Sequence, residues 1–144
     1  MSSRKDVTDR VKVLAKEVRN GSYFVKRGYI NWAAFDFEKH PRAVAILVDE
    51  ETLMRDHRGF ADARISMEIF TRIPDTDQEP QIDDGLLDEL IDDARWIVEQ
   101  LEQSKNKAGD PIVFKLPKNT SSLVESHDAT LMVQGIVAII RVTY

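Results

Sequence analysis

The first hydrophobic pattern along the chain is that of an amphipathic helix. Four apolar residues recur at spacings of four, three and four, which places them on one helical face: Val7, Val11, Leu14 and Val18. Asn20 and Gly21 then supply a helix stop, because glycine adopts a left-handed conformation at no steric cost. The pattern predicts a helix from about Ser3 to Arg19.

The next segment, from Tyr23 to His40, follows neither a helical nor an alternating period and is rich in aromatic residues. Its interleaved basic residues allow one alternative, a platform on which nucleic-acid bases would stack. Aromatic side chains that anchor an irregular loop onto a core are far commoner. We therefore interpret the segment as a loop packed on the core.

Two strands are predicted after this loop. Arg42 to Val48 is an unbroken apolar run typical of a buried strand, and Arg64 to Ile73 alternates like a half-buried one. The polar link from Asp49 to Asp62 suggests that they pair antiparallel as a long hairpin. Because this link is long, polar and contains Gly59, we expect it to be mobile in the isolated subunit.

A second helix is predicted to begin at Asp83 and to run to Glu102, with a wide apolar stripe at helical spacing. Short strands are expected at Ile112 to Leu116 and at Leu123 to Glu125. The chain closes on a long β-branched run, Thr130 to Tyr144, that is apolar on both faces. Such a strand has to be covered on both sides, either within one domain or by a neighbouring subunit.

These elements predict one domain over residues 1–144, of the α+β class. We expect a mostly antiparallel sheet with two main helices packed on it. The chain has no cysteine, which excludes disulfides, thiol catalysis and thiolate metal sites. No apolar run approaches the ~20 residues that a membrane span needs, and the polar N-terminus lacks a signal sequence. We expect a soluble protein in the cytoplasm where it is made, with no membrane partner.

The net charge of −5 is unevenly distributed along the chain. From Asp75 to Gln103 there are eleven acidic residues and a single basic one, Arg95, whereas the first 42 residues are basic on balance. One interpretation is a pair of solvated faces. The other is that subunits attract one another head to tail. A chain that is acidic as a whole does not indicate sequence-specific binding of nucleic acid.

The residue pattern offers no catalytic constellation. The three histidines show no metal-ligand spacing, and adjacent aspartates such as Asp92 and Asp93 point about 100° apart on a helix, so they do not converge on one ion. The His127–Asp128 pair lacks a recognisable nucleophile, and the six glycines form no phosphate-binding loop. We predict no enzymatic activity, no cofactor and no metal.

The order of these features resembles the bacteriophage tail terminator, or tail completion, family. The resemblance rests on the basic N-terminal helix, the strand entry His40-Pro41-Arg42-Ala43-Val44, a charged loop, an alternating strand, an acidic helix and a terminal strand ending Arg141-Val142-Thr143-Tyr144. This resemblance is in the pattern of elements over nearly the whole chain, and no single motif in it is specific. The resemblance implies a structural protein that forms a hexameric ring and has no catalytic residues.

The resemblance implies that the ring caps the tail tube, ends its polymerisation and docks to the head connector. The partners would be other copies of the chain, the tail tube protein and the head–tail connector protein, first in the host cytoplasm and then in the virion tail. A related head–tail joining or tube component is one alternative. A cytoplasmic protein-binding module of the adaptor or immunity type, monomeric or dimeric, is another.

Two sets of candidate residues follow. Candidates for the subunit interface are the charged positions of the two helices and the second face of the terminal strand: Arg4, Lys12, Lys16, Arg19, Asp84, Asp88, Asp92, Val133, Val137 and Ile139. Candidates for a loop that lines the channel or contacts the tube are Glu50, Arg55, Asp56 and Arg58.

Overall fold

The fold consists of two long helices and a five-stranded sheet, as seen in a computed structural model that describes residues 3–53, 61–73, 81–113, 121–128 and 132–144. The elements follow the chain in the order α1 (Arg4–Gly21), β1 (Phe24–Arg27), a 3-10 helix (Trp32–Ala34), β2 (Arg42–Leu53), β3 (Ala61–Arg72), α2 (Asp84–Glu102), β4 (Ser121–Asp128) and β5 (Val133–Thr143).

The strands lie in the order β1-β2-β3-β5-β4, and only the β1–β2 pair is parallel. The predicted α+β class with a mostly antiparallel sheet is confirmed, and so is the hairpin of β2 and β3. Both hairpin strands are longer than predicted, because β2 continues to Leu53 and β3 begins at Ala61. Half of the expected link from Asp49 to Asp62 is therefore strand. The remainder of the link, residues 54–60, lies outside the described residues. The prediction that the link is mobile therefore stays a prediction.

Both helices begin with a side-chain cap. At the start of α1, the Ser3 side chain accepts from the backbone N–H of Asp6 while the Asp6 carboxylate accepts from the backbone N–H of Ser3. At the start of α2, Asp83 accepts from the backbone N–H of Leu86 at 3.1 Å. The end of α1 is irregular, since Arg19 and Asn20 have φ angles of 49° and 54°.

The main core lies between the helices and one face of the sheet. It buries the predicted apolar stripes of both helices together with inward residues of the three central strands, among them Val44, Ile46, Ile65, Met67, Ile69, Ile136 and Ile140. The helices run antiparallel, since Arg10 near the start of α1 contacts Ser104 beyond α2, whereas Arg19 at its end contacts Asp93. Neither helix in the described ranges is long and apolar enough to cross a membrane.

The opposite face of the sheet, which we call the second face, is covered at one end by the aromatic loop. Trp32, Phe35 and Phe37 pack there against Phe70 and Val133. The indole N–H of Trp32 also donates to Glu68 in the middle of β3, at 2.9 Å. The prediction that this segment packs aromatic side chains on a core is confirmed.

Two short elements differ from the prediction. The strand β1, which lies inside the aromatic segment and pairs with β2, was not predicted. Its four residues are too few to show an alternating pattern in the sequence. The strand expected from Ile112 to Leu116 is wrong at its start, since Ile112 and Val113 are buried outside any strand and only Pro111 forms an isolated bridge, with Lys105. The rest of that stretch lies outside the described residues. β4 is longer than the expected Leu123 to Glu125.

Candidate interaction surfaces

A group of charged and polar side chains joins α1, the residue before β1, β2 and α2. The Asp93 carboxylate, only 5% exposed, accepts from the Tyr23 hydroxyl at 2.6 Å and from Nε of Arg19 at 2.8 Å. Arg42 forms an ion pair with Glu89, and its Nη1 lies 3.9 Å from Asp93. We call these five residues the buried polar cluster.

The buried polar cluster is balanced in charge, with two guanidinium groups facing two carboxylates. Burial and the hydrogen bond to Asp93 raise the pKa of Tyr23, and the hydrogen bond to Asp93 raises the pKa of Arg19. Both shifts favour the protonation states that these groups already have at neutral pH. The arrangement therefore holds α1, β2 and α2 together through paired charges and hydrogen bonds.

Sequence reasoning missed the buried polar cluster, although one signal was present. Asp93 follows Leu90 by three residues and precedes Ile97 by four, so it lies on the apolar face of α2. A carboxylate at such a position requires a partner, because burying an unpaired charge is costly. The identity of that partner depended on the packing of three other elements.

A cleft of about 510 Å³ lies at the β1 edge of the sheet, next to the buried polar cluster. Its walls include Lys16 of α1 together with Lys39 and His40 of the loop before β2, and none of the residues that line it is acidic. Phe24 is 37% exposed there and contacts the His40 ring, with 4.8 Å between the ring centroids. We call this site the basic cleft.

The outer side of α2 carries an acidic stripe, which consists of Asp84, Asp88, Asp92 and Glu99. The four side chains belong to exposed residues at spacings of four, four and seven, so they share the side of the helix that points away from the core. Arg95 lies 3.6 Å from Asp92 and is the only basic residue that pairs with the stripe among the described residues.

Beyond the aromatic loop, the second face keeps an apolar region that is not fully covered. Leu47, Val137 and Ile139 lie there on three neighbouring strand positions, and each is half-buried. They surround Ser66, which donates to Asp49, the extra residue at a bulge in β2. Val133 belongs to the same face of β5 but is only 1% exposed, because Phe37 and Phe70 cover it. The prediction that Val133 lies at a subunit interface is therefore wrong, because Phe37 and Phe70 of its own chain already cover it.

The basic candidates of α1 fall into two groups. Arg4 pairs with Glu51 of β2 at 3.3 Å, and Arg19 belongs to the buried polar cluster, so both already have partners in their own chain. Lys12 is half-buried and Lys16 is exposed, and neither forms an ion pair with another described residue. The structure thus leaves Lys16 as the most accessible cation of this set.

The loop candidates are separated by the structure. Glu50 is a residue of β2 and lies opposite Arg64 in the register of the hairpin, so its assignment to a loop was wrong. The other three, Arg55, Asp56 and Arg58, lie outside the described residues. His57 does as well, whereas His40 packs against the rings of Phe24 and Phe35. Within the described ranges, no group of three or more histidine, aspartate or glutamate residues is placed to hold a metal ion.

Comparison with known proteins yields no relative of this chain: no protein-family model matches it, and neither does any curated protein.

Proposed function

We propose that this chain is a structural subunit of a bacteriophage or prophage tail, which assembles into a ring that caps the tail tube. On this proposal the ring ends tube polymerisation and docks to the head connector, and the subunit has no enzymatic activity. Its partners are further copies of the chain, the tail tube protein and the connector protein. The resemblance in the order of sequence features motivates the choice of this family.

The observation that carries the proposal is the partly covered second face of the sheet. A sheet that is apolar on both sides needs a layer on each. The helices cover one face, whereas the aromatic loop covers only one end of the other and leaves Leu47, Val137 and Ile139 half-buried. Contact with a second copy would complete the burial of these side chains, at roughly 25 cal/mol per Å² of apolar surface removed from water.

The proposal is tested by measuring the mass of the protein in solution by light scattering across a concentration series. A hexameric ring has six times the protomer mass of 16.5 kDa and appears as a closed particle by negative-stain electron microscopy. A monomer at every concentration would contradict the proposal and would favour the alternative of a protein-binding module.

A matched pair of substitutions examines the second face itself. Val137→Lys places a charge on this face, whereas Val13→Lys makes the same change on α1, where Val13 is 41% exposed. We expect Val137→Lys to raise the dissociation constant at least about tenfold and Val13→Lys to leave it unchanged. Thermal unfolding of both variants distinguishes a lost interface from a lost fold. Equal association of the two variants would refute the role of the second face.

A further inference from the structure

The tertiary fold places groups of opposite charge on different elements of the molecule. Strand β1 is at one end of the strand order and β4 at the other. Helix α1 packs on β1 and β2, whereas α2 packs on β5 and β3. The basic cleft therefore lies at the β1 edge, and the acidic stripe lies on the helix that covers the other half of the sheet.

The cations of the basic cleft lack partners within the described part of the chain. Lys16 and Lys39 line the cleft, and neither forms an ion pair with a described residue. Lys26 follows on the exposed strand β1, next to the cleft. Phe24 adds an exposed ring beside these charges, and the volume of about 510 Å³ is large enough to admit several side chains.

The acidic stripe is likewise short of cations. Asp84, Asp88 and Glu99 form no ion pair with any described residue, and Asp92 pairs only with Arg95, where both side chains are about two-thirds exposed. Such an exposed pair contributes little, because solvent screens it. The stripe points away from the core of its own chain, so its charges are available to another molecule.

We propose that the basic cleft of one copy binds the acidic stripe of the next copy, head to tail. This inference rests on the proposed function and specifies the surfaces through which the ring would form. Two different patches on each copy make a heterologous interface, which closes into a ring when the rotation between neighbours allows it. The charges guide encounter and register, and the apolar contacts with Phe24 and the second face add burial.

The test is a charge-swap experiment on the full chain at low salt. One variant carries Lys16→Glu and Lys39→Glu, and the other carries Asp88→Lys and Asp92→Lys. We expect each variant alone to raise the dissociation constant of the oligomer at least about tenfold. Mixing the two in equal amounts should restore the oligomer with the variants in alternation. The unaltered cleft of one variant then meets the unaltered stripe of the other, and the reversed cleft meets the reversed stripe, so every interface again joins opposite charges.

A control variant, Lys105→Glu with Lys107→Glu, reverses two exposed lysines in the loop after α2 and should associate like the wild type. The wild-type oligomer should itself weaken as salt rises, since screening acts within about 10 Å at 0.1 M. Thermal unfolding of each variant establishes that it is folded before its mass is interpreted.

The outcomes separate this inference from the proposed function. A wild-type chain that is monomeric under all conditions contradicts both. A wild-type oligomer that neither reversal weakens overturns the head-to-tail pairing and leaves the ring standing. Weakening by both reversals without recovery on mixing also overturns it, because the two surfaces then do not contact one another.

Discussion

Removing the carboxylate at the centre of the buried polar cluster is the perturbation whose effect follows most directly from the structure. Asp93→Ala leaves the Tyr23 hydroxyl without its acceptor and removes the closest negative charge from Arg19. Nη1 of Arg42 is already buried without a hydrogen-bond partner and would lose the nearby charge at 3.9 Å. One substitution therefore removes two hydrogen bonds and the charge that faces Arg42.

The change in the free energy of unfolding depends on how far other groups can replace the interactions of Asp93. Breaking a buried ion pair from one side costs about 3–5 kcal/mol, because a buried charge is left uncompensated. Glu89 remains near both guanidinium groups, and the Arg19 side chain is 33% exposed, so part of the loss is recovered. We expect Asp93→Ala to lower the free energy of unfolding by about 3 kcal/mol, which corresponds to a fall in melting temperature of about 10 °C for a domain of this size.

The assay is urea and thermal unfolding followed by circular dichroism, with Asp92→Ala as the control. Asp92 is the adjacent acid, its side chain is 69% exposed, and it should change stability by less than about 0.5 kcal/mol. Tyr23→Phe should cost about 1 kcal/mol in the wild type but nothing in the Asp93→Ala background, where the hydroxyl has already lost its acceptor. Equal unfolding of the Asp93 and Asp92 variants would refute the reasoning, as would an equal cost of Tyr23→Phe in both backgrounds.

Two further predictions concern single positions in the fold. Gly135→Ala should destabilise the protein by about 3 kcal/mol or more, because an added Cβ would lie 2.2 Å from the backbone oxygen of Ile69. The comparison is the unfolding of Gly85→Ala, whose Cβ would meet only the Asp83 side chain, at 3.3 Å. An equally mild effect at both glycines would disprove this explanation. Hydrogen bonds from Ser3 lower the pKa of Asp6 below its ordinary value of 3.8, so the stability that this carboxylate contributes is present above that pH and is lost as the pH falls through the folded-state pKa. Asp6→Asn should therefore lower the melting temperature at pH 7 and have little effect at pH 2, and an identical loss at both pH values would argue against the capping box as its cause.

Elements with a strong local period were predictable from the sequence. The apolar stripes of α1 and α2 identify both helices to within about two residues at their ends, because a helical face is a property of neighbouring residues. The pairing of the hairpin and the two faces of β5 were predictable as well, although the hairpin strands extend further than predicted. Residues Ile136, Ala138 and Ile140 lie in the main core, and Val133 lies on the second face, as their alternation predicts. Gly135 lies at a close contact in this strand, because a Cβ there would meet the backbone oxygen of Ile69.

The candidate surfaces were only partly predictable. The charged faces of the helices are visible in the sequence, and Asp84, Asp88 and Asp92 are exposed as an amphipathic pattern implies. Which cations remain accessible is not a local property. Arg4 and Arg19 form ion pairs with acidic residues that lie 47 and 74 positions further along the chain. Only the packed fold therefore distinguishes these two arginines from Lys16.

The sequence by itself determined the class of the fold, the helices, the central strands and the uneven distribution of charge, since each depends on residues close together in the chain. The tertiary structure decided the parallel strand β1, the buried polar cluster, the position of the basic cleft at the β1 edge and the position of the acidic stripe on the helix that covers β3 and β5. These features arise from contacts between residues far apart in the chain, whose geometry exists only after the sheet and helices have packed.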